Sequence, residues 1–217
     1  IGLASVTITY RGPNVHGPSG EDRKGHIWGE LVHYGLKDLG YGTSLESPWR
    51  AGSNEITTVT LSHDVKVNGK DLKAGTYGLF LLLDKDKPWT WIFSKNSTSW
   101  GAYYYTQAED VLRVEASPED CAYTEWLTYG FDDRQLQSAN AYLMWENKKI
   151  GFKIEVPNPI QLYVDQMKAE LTSYAGFNST NWQKAAQFCL ANNTNLEEAL
   201  KWVDISMSSE RFSGQKS

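Results

Sequence analysis

The chain has 217 residues, of which 41% are hydrophobic and 22% charged, and its formal net charge is −5. This composition is typical of a folded protein and excludes collagen-like, coiled-coil and extensively disordered chains. An acidic chain without a dense Lys/Arg cluster disfavours nucleic-acid binding, and no apolar run approaches the roughly 18 residues of a membrane-spanning helix.

The chain begins at Ile1 rather than Met, and residues 1–10 already alternate like a strand. We therefore expect the natural N-terminus to lie upstream, where a signal peptide or lipid anchor would be found. The two cysteines, Cys121 and Cys189, are too few for a disulfide scaffold. They are expected to be isolated thiols, with a single bridge as the alternative in an exported protein.

The first predicted strand, residues 3–10, alternates apolar and polar side chains. Two irregular stretches follow, 11–25 and 35–48, which are rich in Gly and in polar or charged residues. A short strand is expected between them, within 26–35. Loops of this length exceed what a plain sandwich needs, and long loops often carry function.

From Ile56 onward the β pattern is strong. Asn68-Gly69 is a two-residue hairpin turn, since both positions tolerate positive φ. The strands expected after it are 79–83, 89–93, 111–117, 122–131, 139–146 and 149–156, with Asn147-Lys148 as a tight turn. About nine or ten short strands predict a mainly β fold, an antiparallel, jelly-roll-like β-sandwich over residues 1–157.

After Pro157 the apolar period becomes helical. Helices are predicted over 160–174, over about 182–191, and from Asn195, which would be the N-cap of a capping box with Glu198. The apolar stripe expected on the third helix comprises Leu196, Ala199, Leu200 and Val203. The α-helical segment 158–217, with its polar end, resembles a partial tetratricopeptide repeat. One repeat cannot bury its own face, so these helices would pack on the sandwich or belong to a longer array.

The polar cluster WRAGSNE, residues 49–55, precedes the strongest β pattern. In a regular strand Glu55 shares a face with Val59 and Leu61, the face expected to be core. A buried carboxylate needs a partner, and Arg50 is the nearest residue able to bind it with two parallel hydrogen bonds. Asn54 would hold the turn through its side chain.

Two interpretations of this cluster stay open. Arg50, Asn54 and Glu55 form a structural plug at the sandwich edge, or they face a cleft beside Trp49 and Trp100. A second candidate region, residues 94–110, contains Trp100, Tyr103, Tyr104 and Tyr105 among Ser, Asn and Gly residues. Aromatic faces with amide and hydroxyl neighbours suit sugar rings or a peptide backbone. The alternative is a loop that covers an open end of the sandwich.

Other chemical signatures are poor. His16, Asp22, His26 and His33 could supply metal ligands, but their spacing matches no zinc signature. No phosphate-binding loop or nucleophile elbow is present, and neither cysteine has a recognisable catalytic setting. We therefore expect no metal and no cofactor.

The motif WRAGSNE, the run SHDVKVNGKDLKAGTYGLF at 62–80, Trp100-Gly101 and DVLRV at 110–114 closely resemble a bacterial family, the domain of unknown function 2911. The resemblance covers roughly residues 1–156. It implies an exported protein, periplasmic or outer-membrane-associated, with a tetratricopeptide-like tail, and it implies no activity. The chain departs from the family pattern by longer inserts after Pro13 and between Leu31 and Trp49.

The leading interpretation is a non-catalytic binding or interaction module of the bacterial envelope. Its ligand would be neutral and sugar-like or peptide-like, and a protein partner could bind the helical tail. The residues expected at the ligand are Trp49, Trp100, Tyr103 and Tyr105, with polar contacts from Arg50, Asn54 and Glu55. One alternative is a hydrolase-like enzyme that uses Glu55 as acid or base with Arg50 and His63. Another is a purely structural scaffold.

Overall fold

The strands of the protein form two antiparallel sheets in a computed structural model that describes residues 1–208. In chain order they are β1 (Val6–Thr9), β2 (Thr58–Leu61), β3 (Val65–Val67), β4 (Lys70–Leu72), β5 (Gly75–Leu82), β6 (Trp89–Ser94), β7 (Asp110–Ala116), β8 (Glu119–Asp132) and β9 (Ser138–Glu155). The first sheet has the order β1-β2-β5-β6-β7 and the second the order β4-β3-β9-β8. The mainly β, antiparallel fold predicted from the sequence is confirmed, and the sheets do not close into a barrel.

The two sheets meet through large aromatic side chains. Phe152 of β9 packs edge-to-face against Trp91 and Phe93 of β6, with ring centroids 5.3 Å apart in both pairs. Trp91 and Phe93 have no exposed surface, and neither has Leu79 of β5. Burial of rings this large provides most of the apolar area of a sandwich core.

The hairpin turn predicted at Asn68-Gly69 is confirmed. It joins β3 to β4, with φ of 46° at Asn68 and 80° at Gly69. The turn predicted at Asn147-Lys148 is wrong, because β9 continues through it and Lys148 stays opposite Asp120 of β8. Glu146, with φ of 54°, lies in the irregular part of this ladder, so a bulge replaces the predicted turn.

The long loops pack onto the β unit instead of extending from it. Val15, Ile27 and Val32 are almost completely buried. The prediction of a short strand within 26–35 is wrong. This segment makes only isolated β-bridges, one between Trp28 and Val32 and one between Tyr34 and Leu83. Apolar anchors therefore fix the loops where no regular strand forms.

The chain divides into two compact units, and the second begins at Asn158. Its helices are α1 (Pro159–Leu171), α2 (Ser179–Ala191) and α3 (Leu196–Met207). They enclose a small core of Val164, Leu171, Ala185, Ala186, Cys189, Ala199 and Trp202. No helix within residues 1–208 is both long enough and apolar enough to cross a membrane. Cys121 and Cys189 are both free thiols.

The apolar stripe predicted for α3 is largely wrong. Ala199 and Trp202 are buried, whereas Leu196, Leu200 and Val203 are exposed. The capping box does not form either, because Asn195 has a left-handed φ of 49° and its side chain caps no backbone N–H. Its amide instead donates to Gln161 Oε1 of α1 at 3.0 Å. The tetratricopeptide-like character of this unit stays a prediction, and the polar end 209–217 lies outside the described residues.

We expect Leu79→Ala to lower the free energy of unfolding by about 2–5 kcal/mol, because it removes buried methyl groups and leaves a cavity. Urea denaturation followed by tryptophan fluorescence measures the change. Leu45→Ala is the matched control, at a side chain that is 73% exposed, and should change the free energy by less than about 0.5 kcal/mol. Equal effects of the two variants would contradict the central position of β5.

Candidate functional site

The WRAGSNE segment begins as a strand-like attachment to β5. The Trp49 N–H donates to the Leu81 carbonyl at 3.1 Å, and the Leu81 N–H donates back to the Trp49 carbonyl at 2.8 Å. The backbone then bends twice through left-handed residues, Ala51 at φ 51° and Asn54 at φ 59°. Since β2 begins only at Thr58, the alternation of faces predicted back to residue 55 does not apply.

Glu55 lies at the surface, paired with Arg11. Arg11 Nε lies 3.3 Å from Glu55 Oε2, and Arg11 Nη2 lies 3.5 Å from Oε1, a two-point contact between side chains that are 66% and 45% exposed. The backbone N–H of Glu55 and the Arg11 guanidinium lower the pKa of this carboxyl. The predicted pairing of Glu55 with Arg50 is therefore wrong, and so is its predicted core position.

Arg50 is the residue of the motif that stays without a partner. It makes no hydrogen bond and no ion pair with any residue in the described part of the chain, although its Nε is buried. Its side chain passes close to Gly101, where an added Cβ would lie 3.4 Å from Arg50 Cδ. Gly101 also has a left-handed φ of 59°, so a side chain there would be strained. Gly101 is therefore favoured by its backbone conformation, while Arg50 packs beside it at ordinary contact distance.

A cavity of about 240 Å³ lies beside Arg50. We call it the arginine cavity. It is lined by Pro13, Arg23, Leu31, Val32, His33, Leu39, Pro48, Trp49, Arg50, Gly52, Ser53 and Trp145. Its charged and titratable lining residues are Arg23, His33 and Arg50, and none of the lining residues is acidic. In a chain of net charge −5, this local excess of basic groups favours an anion.

The two arginines of the cavity differ in their partners. Arg23 Nη2 donates to Glu21 Oε1 at 3.0 Å. The backbone N–H of Glu21 and the Arg23 guanidinium lower the pKa of the Glu21 carboxyl, which therefore stays ionised beside Arg23. Arg50 has no such compensation, so it supplies the uncompensated positive charge of the cavity.

Tryptophans form one wall of the cavity. The rings of Trp49 and Trp145 lie nearly parallel, with centroids 6.2 Å apart, and Trp28 packs edge-on against both. The Trp49 indole N–H donates to the Gly52 carbonyl at 3.1 Å. The Trp145 indole N–H is buried without an acceptor among residues 1–208. The Trp28 indole N–H is likewise buried without an acceptor in the described chain, so this aromatic group contains two unused hydrogen-bond donors.

His33 adds a group whose charge depends on pH. Its Nδ1 lies 3.0 Å from the Gly35 carbonyl, which only accepts, so Nδ1 carries the hydrogen and Nε2 has a lone pair in the neutral ring. Burial lowers the pKa of His33, and the neighbouring Lys37 lowers it further. The ring is therefore neutral at pH 7.

The structure separates the predicted site residues. Trp49 and Arg50 line the arginine cavity, together with Ser53. The predicted residues that do not line it are Asn54, Glu55, Trp100, Tyr103 and Tyr105. Trp100 is 56% exposed, and Tyr103 packs against Tyr41 with ring centroids 6.0 Å apart. Of the residues expected at one ligand, the cavity therefore brings together only Trp49 and Arg50.

Tyr105 is buried in a hydrogen-bond network of its own. Its hydroxyl donates to Asp110 Oδ2 at 2.9 Å and accepts from Arg113 Nη2 at 2.7 Å, and its ring packs edge-on against Phe80. Burial and the Asp110 carboxylate raise the pKa of Tyr105 to about 12. These contacts give Tyr105 a structural role.

Sequence reasoning missed Arg23 and Trp145 and considered His33 only as a metal ligand. No group of three metal-ligating side chains forms within the described residues. Arg23 and His33 lie in the long connection between β1 and β2 and Trp145 lies in β9, so no local motif joins the three residues. The only sequence feature that points to Arg23 and His33 as site residues is weak: both are basic residues in a long loop of an acidic chain.

A double-mutant cycle tests the corrected pairing. We expect Arg11→Gln and Glu55→Gln to show favourable coupling in unfolding free energy, because their side chains touch. Arg50→Gln and Glu55→Gln should be additive within error. Denaturant unfolding of the single and double variants measures both cycles. Coupling of Arg50 with Glu55 but not of Arg11 with Glu55 would restore the pairing predicted from sequence.

Tyr105→Phe should lower the free energy of unfolding by about 1–2 kcal/mol, because it removes a hydroxyl that is bonded to two charged groups. Thermal and urea unfolding measure the loss. Tyr104→Phe, at an exposed neighbouring ring, is the control and should have almost no effect. If Tyr105→Phe leaves the free energy of unfolding unchanged, the structural role is contradicted and Tyr105 becomes a candidate site residue again.

Comparison with known proteins identifies a family. Residues 1–154 match the family described as Protein of unknown function (DUF2911). No curated protein and no solved structure is significantly similar to the chain. The matched region contains β1 to β8, most of β9 and the whole arginine cavity. The chain therefore belongs to the DUF2911 family of proteins of unknown function.

Proposed function

We propose that the β unit is a non-catalytic ligand-binding module and that the arginine cavity is its binding site. The observation that carries this proposal is the unpartnered Arg50, whose buried Nε has no acceptor within the described residues. A buried donor left without an acceptor costs about 1–3 kcal/mol. The buried Nε is out of reach of a ligand, but an anion at the terminal nitrogens of Arg50 would compensate the charge of the guanidinium.

The volume of the cavity limits the ligand to a small molecule. Pockets for drug-sized ligands enclose roughly 300–1,000 Å³, and the arginine cavity encloses about 240 Å³. A cavity of this size is too small for an extended peptide or a sugar chain. The peptide-like or sugar-like ligand expected from the sequence therefore suits another surface better.

That surface is a groove of about 670 Å³ beside the second predicted region. Its lining includes the exposed Tyr104 and Leu45, with hydroxyl and amide groups from Thr43, Thr106 and Gln107. An exposed ring with such neighbours favours a sugar-like ligand, which we propose as the second candidate function.

A hydrolytic role has less support than binding. Glu55 is held by Arg11 and does not line the arginine cavity. Ser53 and His33 both line it, but the Ser53 hydroxyl donates to the Arg11 carbonyl at 3.2 Å. Catalysis by acid and base needs a titratable pair at hydrogen-bond distance in the site, and these contacts direct the two groups elsewhere.

For the helical unit we propose a protein partner, as the sequence predicts. The support is the apolar surface of α3, where Leu196, Leu200 and Met207 are exposed. An envelope location likewise stays a proposal, which rests on the family resemblance.

A fragment screen by NMR tests the binding role. We expect some fragments to shift the indole N–H signals of Trp49 and Trp145, because both rings line the cavity. Leu31→Phe, which narrows the cavity from its rim, should weaken these fragments at least several-fold. Leu45→Phe is the matched control, at an exposed leucine outside the cavity, and should leave their affinity unchanged.

The proposal fails if no fragment of the screen shifts these two signals. It also fails if fragments that shift them bind Leu31→Phe as tightly as the unchanged protein. Fragments that shift only the signal of Trp100 would move the site to the exposed aromatic surface.

A further inference from the structure

We propose that the arginine cavity binds a small organic monocarboxylate, with its carboxylate at Arg50 and its apolar body against Trp49 and Trp145. This inference rests on the proposed function, because it names the ligand class of the same site.

The first argument is the distribution of charge. Two acidic residues of the surrounding loops, Glu21 and Glu55, are bound to Arg23 and Arg11. No acidic side chain lines the cavity itself. The positive charge of Arg50 is therefore not neutralised by the described part of the chain, and an anion is the chemical class that satisfies it.

The second argument is the count of charges, which favours a single negative charge on the ligand. Arg23 is already compensated by Glu21 at 3.0 Å. His33 is half-buried and its Nδ1 is bound to the Gly35 carbonyl, so the ring is neutral at pH 7. One uncompensated guanidinium matches a carboxylate, whereas a phosphate dianion would bring an unmatched charge into a partly apolar cavity.

The third argument is the geometry of the free donors. A guanidinium binds a carboxylate through two parallel hydrogen bonds. In this protein Arg11 already does so, since its Nε and Nη2 contact the two oxygens of Glu55. Nε of Arg50 is buried and out of reach of a ligand, and the rest of the guanidinium has no acceptor in the described chain. The terminal nitrogens of Arg50 therefore remain for an external carboxylate, as an end-on counterpart of the side-on pair that Arg11 makes with Glu55.

The fourth argument is the apolar character of the rest of the cavity. Trp49, Trp145, Pro13, Pro48 and Leu39 all line it. Polar side chains other than Arg50 are few, namely Arg23, His33 and Ser53, so a ligand rich in hydroxyl groups would place most of them against apolar walls, which is unfavourable. An ammonium group would lack a carboxylate to pair with. The walls thus favour an aromatic or branched aliphatic body and disfavour sugars and amino acids.

Isothermal titration calorimetry with benzoate, benzamide and phenyl phosphate tests the inference. The three probes share an aromatic ring and differ in the charge of the attached group. We expect benzoate to bind about tenfold or more tightly than benzamide, because a bond to a charged group is stronger than a neutral one. Benzoate should also bind more tightly than phenyl phosphate.

Variants locate the charge effect. Arg50→Gln should lower the affinity for benzoate about tenfold or more and leave the affinity for benzamide nearly unchanged. Arg50→Lys should lower the affinity for benzoate less, because lysine keeps the positive charge but lacks the paired donors of the planar guanidinium. Arg11→Gln is the matched control, a neighbouring arginine that already has a carboxylate, and should leave benzoate binding unchanged. Equal denaturation midpoints of the variants exclude unfolding as the cause.

The outcomes separate this inference from the proposed function. Equal binding of benzoate and benzamide, or tighter binding of phenyl phosphate, overturns the monocarboxylate class and leaves the cavity as the site. Binding of benzoate that is insensitive to Arg50→Gln also overturns it. If benzoate does not bind but neutral fragments shift the signals of Trp49 and Trp145, the inference fails and the proposed function stands. If neither occurs, both fail.

Discussion

The two backbone hydrogen bonds between Trp49 and Leu81 fix the position of the whole candidate site. Leu81 lies in β5, inside the first sheet, and has no exposed surface. Because Trp49 is attached to this rigid strand, its ring lies parallel to Trp145 of the second sheet, and the next residue, Arg50, lies at the cavity. The tight bends at Ala51 and Asn54 then carry the chain to β2.

The partly buried arginines of the β unit and Arg11 differ in whether they pair with a carboxylate. Arg11, Arg23 and Arg113 each contact a carboxylate of the chain, at 3.3, 3.0 and 2.7 Å. Arg50 contacts none among the described residues, although it lies closer to the core than Arg11. A folded protein that leaves a partly buried guanidinium unpaired gives up stability, and such sites are typically functional. The same comparison explains why Glu55, the more obvious acid in the motif, is the weaker functional candidate.

The regular elements could be predicted because they depend on local periodicity. The alternation in β1, the apolar run of β5 and the Asn68-Gly69 turn each depend on a few consecutive residues. The errors occur where a distant contact overrides the local pattern. Asn147-Lys148 suggests a turn, but pairing with β8 keeps it in a strand. The stripe of α3 suggests that Leu196 and Leu200 are core, but contacts with α1 and α2 bury Ala199 and Trp202.

The sequence by itself determined the mainly β class, the family resemblance and two residues of the candidate site, Trp49 and Arg50, because these are properties of short, continuous segments. Only the tertiary structure decided that Glu55 pairs with Arg11, 44 positions away in the chain, and not with its near neighbour Arg50. It also decided that Arg23, His33 and Trp145 join the same cavity. The physical reason is that ion pairs and cavities form between segments that meet through folding, and left-handed bends such as Ala51 and Asn54 set directions that side-chain periodicity does not encode.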